Sequence, residues 1–186
     1  DWSSDVCSSD LVIATQLEGL NTQRRLLTSQ IYAAAEAQID QNPQLKETAA
    51  LILAQKNWAP GVIGITASRL GERYHKPVIL LSVGEDGVAR GSARSVAGIH
   101  ITKAIAAQSD ILHGFGGHPM AAGMALDADK IPAFRRRISK TILDNLGDAG
   151  LPAETRLISA WLPLKNLDLT LSADLTKLAP FGPQNP

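Results

Sequence analysis

Several things are scarce in this 186-residue chain, and each scarcity excludes something. There is one cysteine, Cys7, so no internal disulfide and no multi-cysteine zinc site can form, and the default compartment is the reducing cytoplasm. No apolar run approaches the roughly 20 residues that a membrane-spanning helix needs; Val78-Ile-Leu-Leu81 is typical of the longest. The N-terminus has no basic stretch ahead of an apolar one, and so no recognisable targeting signal. Net charge is absent too. Eighteen Lys and Arg balance eighteen Asp and Glu, so a polyanion would have to be held by a local arrangement and not by the field of the whole molecule.

What remains is a soluble globular composition, 45% hydrophobic and 19% charged, long enough to bury a core. Residues 1–11 are rich in Ser and Asp, repeat Ser-Ser-Asp and show no helical or strand period. They read as a non-native leader, with no function attached to Cys7. A helix is expected from Asn21, as its cap, to about Ile39, with Leu27, Ile31, Ala34 and Ala35 on one stripe. Ala49 to Gln55 reads as a buried strand. Pro60-Gly61 then opens a helix to about Tyr74, and Val78 to Val83 forms a second strand, a β-α-β pattern. Glu85-Asp86-Gly87 is turn chemistry, so Val88 to Ser95 should pair with Val78 to Val83 as a hairpin. A short helix over His100 to Gln108, a glycine loop over Phe115 to Gly123, a strand over Ala121 to Leu126 and a long helix follow. That last helix has Ile131, Phe134, Ile138, Ile142 and Leu146 on one face, Asp127 or Asp129 as cap and Gly147 past its end. The run Arg135-Arg136-Arg137 reads as a solvated face. After Gly150-Leu-Pro152 the pattern changes to a strand-like Thr155 to Leu164 and a short helix about Ala173 to Leu178.

Eight of the fifteen glycines lie between Gly84 and Gly123, which concentrates close backbone approach in one stretch of the chain. Three segments there and nearby suit an anion: Pro60-Gly61, where a helix start leaves N–H groups free; Arg90-Gly-Ser-Ala-Arg94-Ser95, with a planar guanidinium fork and hydroxyl donors; and Gly116-Gly117-His118, a backbone donor nest beside an imidazole. His75, His100, His113 and His118 are scattered and accompany no carboxylate pair, so no metal motif is present. A nucleophile elbow, a P-loop lysine and a CxxC are also missing. The chain looks equipped to hold phosphate and poorly equipped to cleave a phosphodiester by itself.

Four ordered segments carry a resemblance: Trp58-Ala-Pro-Gly-Val-Ile-Gly-Ile-Thr-Ala-Ser-Arg-Leu70, Gly91-Ser-Ala-Arg-Ser95, Phe115-Gly-Gly-His-Pro-Met-Ala-Ala-Gly123 and Leu178-Ala-Pro-Phe-Gly-Pro-Gln-Asn-Pro186. Together they resemble the bacterial RecJ family of single-strand-specific 5′→3′ DNA exonucleases, within the DHH phosphoesterase superfamily. Gln184 departs from the glycine common at that position. The resemblance implies an α/β fold: a connector helix over residues 12–46, a DHHA1-type mixed β-sheet flanked by helices over 47–150, and the beginning of an OB-fold over 151–186.

It further implies a substrate-binding part of an exonuclease that acts in DNA repair and recombination. The full protein would be a hydrolase using Mn²⁺ or Mg²⁺ held by a DHH lobe that this chain lacks. His118 would be the catalytic-site donor to phosphate, and Arg94, Gly116, Gly117, Ser92, Arg90 and Arg69 the substrate-binding residues, with no metal ligand here. Single-stranded DNA, and a single-strand-binding protein or helicase, are the implied partners, with bases stacking on apolar or aromatic walls. Two other readings stay open: a non-catalytic nucleic-acid-binding module, and a phosphatase of the DHH family acting on oligonucleotides or nucleotides.

Overall fold

Strand β2 (Val78–Val83) organises the fold because it is apolar on both faces. Val78, Ile79, Leu80 and Leu81 are all fully buried, and only a central strand covered above and below can bury every successive side chain. In the computed structural model, which describes residues 2–147, 150, 158 and 160–182, with side chains from Ser9 onward, β2 lies inside a five-stranded mixed sheet of order β1-β2-β3-β5-β4. The other strands are β1 (Leu51–Lys56), β3 (Val88–Arg94), β4 (Gly114–His118) and β5 (Ala121–Asp127). β1 and β2 run parallel, joined through helix α2 (Pro60–Tyr74), and all other pairs are antiparallel.

Two cores follow from the pleat. On one face Ile52, Ile79, Leu81, Ala89, Ala93, Ala122, Met124 and Leu126 pack beneath α3 (Ile101–Ala106) and α4 (Ile131–Leu146), whose Phe134, Ile138 and Ile142 are buried. On the other, Leu51, Leu53, Val78 and Leu80 lie under α2 and the second half of α1 (Trp2–Gln41), through Ile31, Ala35, Ile39, Val62, Ile63, Ala67 and Leu70. The second core is confined to β1 and β2. The expected hairpin is present: Gly84 N–H donates to Val88 O at 2.9 Å, and Gly87 takes the positive φ of +75° that the turn demands. Among the described residues no helix is long and apolar enough to cross a membrane.

Within residues 2–147, four expectations need correction. The first helix does not start at a capping Asn21; it runs from Trp2, and Asn21 accepts from Arg24 inside it. Side chains from Asp10 to Leu20 are all exposed, so burial imposes no amphipathic period on that stretch. Phe115 to Gly123 is not a loop but β4, a two-residue turn at Pro119 and Met120, and the start of β5. Its glycine content hid it, since strand patterning is read from side chains. Neither Asp127 nor Asp129 caps α4: the chain enters through a 3₁₀ turn over Ala128–Lys130, with Lys130 at the cap position and no side-chain cap bond. Nor is the arginine run a uniformly solvated face. Arg137 forms a two-bonded pair with Asp110 at 2.7 and 2.8 Å, while Arg135 is partly buried, its Nε without a partner and its pKa pushed down by desolvation.

The chain divides into two compact units, 1–153 and 154–186. Within the second, α5 spans Leu169–Thr176, capped by Asp168 through Leu171 N–H at 2.7 Å, so the short helix begins earlier than expected. Of the strand expected over Thr155 to Leu164, residues 155–157 and 159 lie outside the described residues, as does Gln184; residues 160–163 form no strand.

The glycine pair in β4 separates two physical roles. A Cβ on Gly117, which sits at φ +149°, would stand 2.3 Å from Ala121 O and 2.6 Å from Ala122 Cα. One on Gly116 would meet nothing within 4 Å. Gly117→Ala is therefore expected to lower unfolding stability by about 2–4 kcal/mol through strain and overpacking. Gly116→Ala should change it by less than about 0.5 kcal/mol. Urea unfolding of the two variants checks this, and equal losses would contradict it.

Candidate functional site

On the second sheet face α2 reaches β3 only in part and leaves β5 and β4 uncovered, and the residues of these three strands on that side fall in cross-strand rows. Arg94 on β3 is opposite Ala121 on β5, which is opposite His118 on β4. One step along, Ser92, Gly123 and Gly116 form the next row, then Arg90, Ala125 and Gly114. Directly opposed residues share a face, as do residues two apart, so Arg94, Ser92, Gly116 and His118 all lie on this one surface. Two strand spacings separate Arg94 from His118 at Cα, about 10 Å. Between them stand only Ala121, Gly123, Ala125 and Gly116, so the floor is low enough for a ligand to lie against backbone. Every residue of β4 is exposed.

Arg94 owes its position to a residue that sequence reasoning missed. α2 packs across β2 onto β3, and a Cβ on Gly64 would stand 2.6 Å from Arg94 Nη2, 3.2 Å from its Cζ and 3.0 Å from Ser92 Oγ. Glycine inside a helix costs about 1 kcal/mol relative to alanine, and that unfavourable choice was the available signal. The guanidinium lies along the helix, with Nη1 donating to Ser92 Oγ and to Ala93 O, both at 2.8 Å. Both acceptors are neutral. Among the described residues no carboxylate pairs with Arg94, so its charge stays available to an anion.

His118 is fixed through its backbone. Its carbonyl accepts from Thr102 Oγ1 on α3, Pro119 O accepts from Ile101 N–H at 3.0 Å, and Met120 O accepts from Ser95 N–H at 2.9 Å. The turn after His118 is pinned, while among the described residues no hydrogen bond or ion pair engages the imidazole. The other histidines with described contacts are committed: His113 Nε2 is 2.8 Å from Asp127 Oδ1, His100 Nδ1 accepts from Lys103 N–H, and His75 ends α2 in a left-handed conformation.

The structure does not bring every expected residue to this surface. Arg69 turns toward α1, its Cζ 4.8 Å from the centre of the Tyr32 ring. Arg90 shares the face but lies at the far end of β3, where Asp86 Oδ2 holds its Nη2 at 2.9 Å; the same pairing pulls the Asp86 pKa below the usual carboxylate range. Phe115 pairs with Met124 on the opposite face, so the nearest aromatic is not positioned to stack a base beside Arg94. Gly117 shares that opposite parity, paired with Ala122, and is fixed by packing. Among the described residues no group of three His, Cys, Asp or Glu side chains could hold a metal ion.

Comparison with known proteins gives this arrangement a setting. Residues 46–144 match the DHHA1 domain family. The chain is 35% identical over 184 residues to the single-stranded-DNA-specific exonuclease RecJ of Bacillus subtilis, covering 94% of this chain and 22% of that protein. It is 31% identical over 183 residues to RecJ of Escherichia coli, covering 94% and 31%. The crystal structure of RecJ from Thermus thermophilus in complex with Mg²⁺ superposes with a TM-score of 0.72 at 29% identity, covering 94% of this chain and 26% of that one. A structure of exonuclease RecJ bound to manganese superposes at 0.60 with 33% identity, covering 70% and 31%. The chain thus spans less than a third of the length of these relatives.

The Gly64–Arg94 contact makes a separable prediction. Gly64→Ala should keep or raise thermal stability, by up to about 1 kcal/mol, while displacing the guanidinium from Ser92. Thermal unfolding read beside the NMR signal of the Arg94 Nε–H checks both halves. An unmoved Arg94 signal would contradict the account.

Proposed function

We propose a function from one premise: this chain belongs to the DHHA1 domain family and, along 94% of its length, is homologous to part of the RecJ exonucleases. On this reading it is the strand-gripping part of a single-stranded-DNA-specific 5′→3′ exonuclease. The observation that carries the reading is the open sheet face on which Arg94, Ser92, Gly116 and His118 share two adjacent cross-strand rows over a floor of alanine and glycine.

The chemistry follows from what each group can do. The Arg94 guanidinium presents a planar cationic fork to a phosphate. Ser92, already bonded to Nη1, orients that fork. Gly116 lets the backbone of the strand approach that of β4, and His118 donates from the far side of the floor to the same or the adjacent phosphate, stabilising negative charge as it develops. Arg69 and Gly117 take no direct part in this version, and Arg90 contributes only long-range charge.

RecJ structures contain Mg²⁺ or Mn²⁺, ions that activate water and neutralise phosphate charge in hydrolysis. The described residues do not fit such an ion, so the reading assigns bond cleavage to metal-bearing machinery outside this chain and assigns holding and positioning to this part. The same reading puts the protein in the cytoplasm, in DNA repair and recombination, beside a single-strand-binding protein or a helicase. The single cysteine is in keeping with a reducing compartment.

Fluorescence anisotropy with labelled single strands, and with duplex of the same length, tests the proposal on the full chain. Single strands should bind more tightly than duplex, with affinity rising beyond a dinucleotide and falling steeply with salt. Arg94→Ala should weaken binding about tenfold or more, the loss of a charge-assisted hydrogen-bonded contact, and reduce the salt slope by about one. Affinity that levels off at a dinucleotide would favour a small-substrate phosphatase instead. An unaffected Arg94→Ala variant would remove the proposed site altogether.

A further inference from the structure

A cavity of about 450 Å³ opens on the opposite side of the sheet, between α3 and α4, within the size range of pockets that take small organic ligands. Its lining divides by chemistry. Ile99, Ala107, Ile142 and Leu146 supply apolar walls, and His100, Lys103, Thr141 and Asn145 the polar groups. The polar groups are not equally available. Thr141 Oγ1 already donates to Arg137 O at 3.0 Å and accepts from Gln108 Nε2 at 2.9 Å. His100 Nδ1 accepts from Lys103 N–H at 3.3 Å, which leaves the ring proton on Nε2 as a donor. Lys103 is the one charged side chain in the lining, and among the described residues neither its ammonium nor the Asn145 amide has a partner.

The unspent groups are therefore one cation, one imidazole N–H, and one amide that can donate and accept side by side, set against aliphatic walls. A phosphate by itself would use the first two and leave the walls idle. An aliphatic ligand would use the walls and leave Lys103 without a counter-ion. A planar heterocycle carrying one phosphate uses all of them, because the Asn145 amide matches the paired donor and acceptor of a nucleobase edge and a lysine serves a phosphate as a point charge.

We propose that this cavity binds a single nucleotide carrying one phosphate, with the phosphate on Lys103 and His100 and the base against Leu146 and Asn145. The site stands on the cavity itself and is independent of the strand-gripping role given to Arg94. The same nucleotide chemistry could be delivered free in solution or as the phosphorylated end of a strand.

Isothermal titration of the full chain with thymidine 5′-monophosphate tests the site, with inorganic phosphate as comparison. Saturable binding is expected, weakened about tenfold or more by Lys103→Ala and by Asn145→Leu. Displacement of the nucleotide by a 5′-phosphorylated oligonucleotide would support the site with a strand end as its occupant. Absence of displacement would support it with the free nucleotide. Three results would overturn the proposal: no binding at several millimolar nucleotide, inorganic phosphate binding as tightly as the nucleotide, or binding lost in Arg94→Ala but kept in Lys103→Ala. Because Arg94 and Lys103 lie on opposite faces of the sheet, failure here leaves the anisotropy result for Arg94 unaffected.

Discussion

The unequal covering of one sheet face is the constraint from which the site derives. A helix can pack only where the sheet offers apolar side chains to bury, and on the α1 and α2 side these are Leu51, Leu53, Val78 and Leu80, all on β1 and β2. Further out, β5 turns Ala122, Met124 and Leu126 toward the other core and leaves Ala121, Gly123 and Ala125 on this face. With little there to bury, backbone stays within reach of a ligand. The covered half is stable because β2 is apolar on both faces; the open half is accessible because β4 and β5 are nearly bare.

Gly64 lies on the border between the two halves. α2 must sit close to β3 to complete its core contacts, yet Arg94 must emerge between them with its charge uncompensated. Removing the one Cβ in the way reconciles these demands at the cost of helix propensity, an exchange that makes sense where a side chain has to be aimed. His118 is handled differently, its carbonyl and the next two carbonyls being tied down by Thr102, Ile101 and Ser95 while, among the described residues, none bonds the ring. One side of the floor is positioned by a missing atom and the other by backbone hydrogen bonds.

How far this was legible in the sequence follows from the same physics. β2 and α4 could be read because burial forces a pattern: continuous apolar residues in one, and Ile131, Phe134, Ile138 and Ile142 at helical spacing in the other. The Gly84–Gly87 turn could be read because a positive φ selects glycine. β4 could not, since glycines carry no side-chain period, and residues 10–20 of α1 could not, since their side chains are exposed. Ser92, Arg94, Gly116 and His118 were identified from residue type alone and share one face. Arg69 came only from the resemblance, and it stands apart from those four because the side of α2 that meets Tyr32 is set by tertiary packing. Gly64 escaped notice for a related reason: its neighbours Ser92 and Arg94 are nearly thirty residues away in the chain.

The central claim is that one strand lies across β3, β5 and β4 on the uncovered face. Chemical-shift mapping of the full chain with a short single-stranded oligonucleotide tests it most directly. The account predicts that the amides of Arg94, Ala121, Gly123, Gly116 and His118 shift together along a single saturation curve. Shifts confined to α3 and α4, with those five amides unmoved, would contradict it.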